Sequence, residues 1–165
     1  MRVRPAKADE LPLLAQVWFD AWHDGHADHV PQNLIDVRTL ESFEVRLSEM
    51  LDDTRVIGPV GAPLGFCTLK GDELYQMFVS AEARGSGAAQ ALMADAEARL
   101  KAAKVTTVWL SCVIGNDRAA QFYRKCGWHL ARTEKEDLAT LDEPYPLEVW
   151  IFEKVLTTDD SACMF

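Results

Sequence analysis

A run of strand-favouring residues ends at Phe78 and Val79 and gives way, through Ser80-Ala81-Glu82-Ala83-Arg84, to Gly85-Ser86-Gly87 and an Ala-rich stretch that reads as a helix. Two glycines so close together let the backbone bend until successive N–H groups converge on one point, and the following helix adds the positive end of its dipole. Strand, glycine turn and helix in that order imply an anion site that suits a phosphate or pyrophosphate. The familiar nucleotide motifs do not fit: no Gly-Lys-Ser/Thr closes the loop, and Ala stands where the third glycine of a dinucleotide turn belongs. Glycine before a helix is also an ordinary way of turning a chain, so spacing alone leaves both readings open.

The rest of the chain supplies a sheet to carry such a loop. Arg2 to Pro5 reads as a short strand. Leu11, Leu14, Ala15, Trp18 and Trp22 recur at helical spacing from Ala8 to about Trp22, with Gly25 as the expected stop. Leu40, Phe43, Leu47, Met50 and Leu51 mark a second helix. Arg55–Val60, Leu64–Lys70 and Glu73–Ser80 are apolar or alternating runs divided by Gly61-Ala62-Pro63 and Gly71-Asp72, which predicts an antiparallel meander. Gly87 to Lys104 is a helix leading to a buried strand, Thr107–Val113, and a strand–helix–strand crossover makes that strand a parallel neighbour of Glu73–Ser80. Asp117–Cys126 is a short helix with Asn116 or Asp117 as N-cap and Gly127 at its left-handed end. Trp128–Thr133 and Leu147–Lys154 then close the sheet as an antiparallel pair, joined by a connector holding Pro144 and Pro146. The expected class is mixed α+β, with a mostly antiparallel central sheet flanked by helices.

Two blocks carry a resemblance. Arg84-x-x-Gly87-x-Ala89 is similar to the Arg/Gln-x-x-Gly-x-Gly/Ala signature of the GCN5-related N-acetyltransferase (GNAT) family, and Asn116-Asp117-Arg118-Ala119-Ala120-Gln121-Phe122-Tyr123-Arg124-Lys125-Cys126-Gly127-Trp128 resembles that family's second block, in the right order and spacing. The resemblance extends over nearly the whole chain. It implies the GNAT fold, in which the parallel pair splays, and it implies acetyl-CoA as co-substrate. Where two strands diverge, backbone groups of the first become free to pair with something else, in that family the pantetheine arm of the coenzyme.

Carried over residue by residue, the pyrophosphate falls to Gly85, Ser86, Gly87, Ala88 and Ala89, and the pantetheine to the main chain of Phe78 and Val79, with the Val79 N–H polarising the thioester carbonyl. Arg84 acts through its side chain or only its backbone. Asn116 caps its helix and also contacts the coenzyme. Tyr123 is the expected general acid, because a phenol of pKa ~10 stays protonated at neutral pH; plain packing beside Phe122 is the competing reading. An alkylamine of pKa ~10.4 is neutral in only about one molecule in two thousand at pH 7, so a base or a water chain must help. Glu73 is the candidate base, against the reading of a solvated turn residue, and Tyr75 shares its strand face.

Trp22 and His23 lie in a cluster of tryptophans, histidines and aspartates between Trp18 and His29 that walls the acceptor pocket in the resembling fold. Rings and carboxylates together suit a cationic amine. His23, His26 and His29 recur every third residue, but Gly25 and Pro31 interrupt any helix that would align them and no HExxH pattern occurs, so no metal is expected.

The 165 residues suit one acetyltransferase domain over residues 1–156 with a flexible tail at 157–165. A formal charge of −9 argues against nucleic acid as a partner. No apolar run is long enough to cross a bilayer and charge follows the first residues, so a cytoplasmic protein is expected. Cys67, Cys112, Cys126 and Cys163 form no CxxC pair, and Cys163 is third from the end, where prenylation needs the fourth. The leading expectation is an N-acetyltransferase acting on a small-molecule amine. The alternatives are acetylation of a protein N-terminus or lysine, and a module that binds acyl-CoA without turnover. Homodimers are frequent in the resembling family, and no interface can be read here.

Overall fold

The computed structural model describes residues 2–156, so the expected tail lies outside the described residues, as does Cys163. Seven strands form one sheet, β1 (Val3–Pro5), β2 (Thr54–Ile57), β3 (Gly65–Lys70), β4 (Glu73–Val79), β5 (Thr107–Val113), β6 (His129–Leu138) and β7 (Tyr145–Val155). Their order across the sheet is β1-β2-β3-β4-β5-β7-β6. Every neighbouring pair is antiparallel except β4 and β5. Five helices flank it, α1 (Leu11–His26), α2 (Gln32–Val37), α3 (Leu40–Glu49), α4 (Ala88–Ala102) and α5 (Asp117–Lys125). This is the mixed fold with one parallel pair that the sequence predicts.

Two apolar clusters form on opposite faces of the sheet. One gathers Trp18 and Trp22 of α1, Phe43 and Leu47 of α3, and Phe66 of β3. The other gathers Leu92, Met93, Ala96 and Leu100 of α4 with Leu74, Val108, Leu110 and Phe152 from β4, β5 and β7. Trp18 stacks on Phe43 at 4.4 Å between ring centres, which locks α1 to α3. Cys67 and Cys112 are buried and apolar surroundings push their thiols up to about 12, so they pack as small hydrophobes. Among the described residues no helix is long and apolar enough to cross a membrane.

Several boundaries differ from the expectation, each for a physical reason. Gly25 does not stop α1, which runs to His26. A Cβ at Gly25 would sit 3.3 Å from the Asn116 side chain, so this glycine serves the close approach of α1 to α5. The stretch after Pro31 contains α2, six residues long and too short to leave a periodic signal. β6 continues to Leu138 through the charged run Glu134-Lys135-Glu136-Asp137 because it is an edge strand whose residues mostly face solvent. β7 begins at Tyr145 and takes in Pro146; its pairing with β5 ends at Val149, so there β7 has a neighbour on one side only.

Candidate active site

The parallel pair barely pairs. Glu73 and Trp109 form its one registered contact, reinforced by the Trp109 N–H donating to the Asp72 carbonyl at 3.3 Å and the Trp109 indole donating to the Asp72 carboxylate at 3.0 Å. Beyond that point β4 and β5 diverge, and a cavity of about 390 Å³ opens between them. The Ser80 N–H bonds Leu64 O of the β3 side. By the alternation of an antiparallel ladder, Phe78 then gives its backbone groups to β3, whereas Met77 and Val79 turn theirs to the gap. The open rungs of β4 therefore belong to Met77 and Val79, and Phe78 contributes its ring, 6.1 Å from Trp18.

A bulge sets which side chains face α1 and α3. Thr68 pairs with Gln76 but Leu69 with Leu74, so Tyr75 is the extra residue in β4. Leu74, Met77 and Val79 pack with the α4 cluster, while the Tyr75 hydroxyl accepts from Arg46 of α3 at 3.3 Å and Phe78 packs towards α1. Without the slip, Tyr75 and Phe78 would point to opposite faces.

Gly85 (φ +78°) and Gly87 (φ +91°, the N-cap of α4) both adopt the left-handed conformation. A Cβ at either would meet nothing within 4 Å, so conformation and not space demands glycine. Gly85, Gly87, Ala88 and Ala89 line the cavity, and the first-turn N–H groups of α4 have no partners within the helix. Ser86 is placed differently. Its N–H and hydroxyl both donate to Ala83 O and the hydroxyl accepts from Ala88 N–H, so it braces the loop from behind. Arg84 pairs with Asp24 of α1, which also takes Arg118 of α5 at 3.0 Å. The Arg118 and Arg84 hydrogen bonds hold the Asp24 carboxyl below its ordinary range.

Asn116 lines the cavity and caps α5, its side-chain oxygen accepting from Ala119 N–H. Tyr123 lines the inner end, half-buried, with Trp128 and Phe152 rings 6.2 and 5.7 Å away. Burial, and after it the neighbouring cysteines, raise its phenol well above the ordinary value, so it stays protonated at any working pH. Glu73 is buried (7% exposed) and lies just outside the cavity wall, two residues before Tyr75. Burial, then the Glu136 carboxylate, lift its pKa to about 7.

The model of the acetyltransferase (GNAT) family matches residues 11–128, well over half of the chain. The chain belongs to the GNAT family. Solved structures agree on the fold: a GCN5-related N-acetyltransferase from Rhodopseudomonas palustris superposes with a TM-score of 0.74 at 20% identity, covering 94% of this chain and 95% of that one. The PaiA N-acetyltransferase of Thermoplasma acidophilum, solved with coenzyme A, gives 0.68 at 19% identity over 93% and 98% of the two chains. A GNAT phosphinothricin acetyltransferase from Sinorhizobium meliloti, solved with acetyl-CoA, gives 0.67 at 16% over 97% and 90%. No curated protein matches significantly. As a GNAT acetyltransferase the protein takes acetyl-CoA as its co-substrate.

Of the three residues expected to bind the acceptor, Trp22 and Tyr75 line the cavity. His23 does not, its Nε2 lying 2.9 Å from Arg38 O. His26 does line it, with Nδ1 3.1 Å from Trp22 O. A carbonyl only accepts, so Nδ1 carries the proton and Nε2 keeps its lone pair. Burial lowers its pKa to about 4 and keeps the ring neutral. None of the aspartates of the 20–29 stretch lines the cavity. The polar groups there are instead Arg38 and, behind Tyr75, Arg46, neither of which sequence reasoning singled out. Arg46 did leave a trace: it falls on the apolar face of α3 beside Phe43 and Leu47, where a charge is out of place.

Proposed function

We propose that the protein transfers the acetyl group of acetyl-CoA to the primary amine of a small molecule, by direct attack in a ternary complex. The observation that carries this reading is the closure of the acceptor end. α1 and Arg38, at the end of α2, wall it on one side and the β6–β7 hairpin on the other. Arg38 donates to Ala139 O of the hairpin, and Tyr145 Oη of β7 donates to Asn33 of α2. Leu138 and Val149 complete the wall. A polypeptide acceptor would need an open groove across the sheet, and these ties cross the place where it would run.

In this reading the helix N-terminus after Gly87 holds the pyrophosphate, and the N–H of Val79 polarises the thioester carbonyl. The amine nitrogen attacks that carbon, a C–N bond forms and the C–S bond breaks. The amine's proton passes through water towards Glu73, whose pKa near 7 matches the working pH. The neutral Tyr123 phenol donates to the departing sulfur. The phenolate left on Tyr123 is re-protonated through water from Glu73 as the products leave, which returns both groups to their starting states.

Thiol release with acetyl-CoA over a panel of amines, amino acids and short peptides tests the reading. Turnover on small acceptors is expected, with kcat lowered roughly 100-fold or more in Tyr123→Phe and KM for acetyl-CoA little changed. Turnover on peptides alone would reassign the acceptor to protein. Coenzyme A binding without turnover on any acceptor would favour a non-catalytic acyl-CoA module.

A further inference from the structure

Arg38 and Arg46 are 4% and 6% exposed, in a chain of net charge −9 with acids to spare, yet neither has a carboxylate partner. All ion pairs among the described residues use other cations. Arg38 sits at the turn between α2 and α3 and lines the cavity, with its guanidinium carbon 5.9 Å from the centre of the Trp22 ring. One of its five N–H groups donates to Ala139 O. Its Nε has no partner and is shut off from water, so solvent does not make up the loss. Arg46 lies 4.6 Å from the Trp18 ring centre and donates to Tyr75 Oη. Its positive charge works against the charge on Arg38, as burial already does. Two like charges held next to each other out of water, with no acid between them, destabilise a fold unless something else brings the anion.

That anion has an obvious place to come from. The cavity Arg38 lines is the acceptor's, and the end of the guanidinium, where Nη2 makes no hydrogen bond among the described residues and Nη1 keeps a second N–H, matches a carboxylate in the two-pronged geometry that arginine favours. Resting on the acetyltransferase reading above, we infer that the acceptor is an amino acid or a related amine bearing a carboxylate, and that Arg38 anchors this carboxylate while the amine faces the thioester. The Trp22 ring lies beside the Arg38 guanidinium, and Arg46 adds a second positive charge behind the Tyr75 hydroxyl. A cationic diamine, by contrast, would bring positive charge into a wall that already carries two.

The test compares each of a set of L-amino acids with its carboxamide and with the decarboxylated amine, by thiol release at saturating acetyl-CoA. The acid is expected to win in kcat/KM by roughly 10- to 100-fold, the range for losing a hydrogen bond to a charged partner. Arg38→Met, which keeps the apolar stem, should raise KM for the acid by a similar factor and collapse the preference for acid over carboxamide, while KM for acetyl-CoA reports that the donor site is intact. Calorimetry of wild-type protein with the amino acids and their carboxamides, in the presence of coenzyme A, gives a readout that does not depend on turnover. Equal turnover with and without the carboxylate overturns this inference and leaves the acetyltransferase reading standing. Carboxylate-selective binding without turnover upholds the Arg38 site and removes the catalytic reading. The absence of both selectivity and turnover overturns the two together.

Discussion

Glu73 is a carboxyl whose protonation changes where the enzyme works. Burial raises its pKa to about 7, and Glu136, one of whose carboxylate oxygens is itself buried without a partner, adds to the rise. If Glu73 takes the amine's proton, kcat/KM should climb with pH through about 7 and level off above it. Glu73→Gln should lose that limb as well as most of the rate, which a pH profile from 5.5 to 9 would check; an unchanged limb would assign it to the acceptor amine. What could be read at this scale in the sequence was residue type in a motif. That Tyr123, Asn116, Gly85 and Gly87 line one cavity could be anticipated because they stand in the two motif blocks, and at the glycines because a left-handed backbone leaves few alternatives. Arg38 and His26 were not legible, because their importance comes from burial against elements distant in the chain.

At the level of elements, the loop between β4 and α4 rests on two left-handed glycines and one bracing serine. Gly87→Ala forces a Cβ into a conformation that disfavours it by roughly 1–2 kcal/mol, even though space is available. We expect KM for acetyl-CoA to rise several-fold with kcat little affected. Ser86→Ala removes a hydroxyl bridge worth about 1 kcal/mol and should shift the same constant less. Steady-state kinetics with acetyl-CoA as the varied substrate would rank the two. The meander, α4 and the crossover to β5 were readable because turn residues and periodicity mark them locally. The bulge at Tyr75 was not. A one-residue slip leaves no mark in composition, yet it decides that Tyr75, and not Phe78 alone, faces the side of the sheet covered by α1 and α3.

In the molecule as a whole, two buried groups tilt stability in opposite directions. The folded-state pKa of Glu73, near 7, lies above its ordinary 4.5, so its contribution is full below about 4.5 and is lost as pH rises through 7. That of His26, near 4, lies below its ordinary 6.5, so its contribution is present above 6.5 and lost as pH falls through 4. Each amounts to on the order of 3 kcal/mol across its window. Between about pH 4.5 and 6.5 the two slopes nearly cancel, and urea melts of the wild type should change little with pH there. Glu73→Gln should expose a stability that rises with pH across this window, and His26→Phe one that falls. Melts of the two variants at pH 4.5, 5.5 and 6.5 would show both; parallel curves would mean that neither group titrates as its surroundings dictate.

The sheet is continuous on paper and almost cut in half in fact. Strands β1 to β4 and strands β5 to β7 share hydrogen bonds only around Asp72, Glu73 and Trp109, while an apolar layer under α4 and α5 spans both halves on one face and Leu138, Tyr145 and Leu147 reach the cluster of α1 and α3 on the other. That is the construction of a book: a short spine at one end, both covers fastened, and a space held open between the pages. Widening the space between β4 and β5 breaks no rung of the sheet, and whatever lies between them rests against the spine where Glu73 stands.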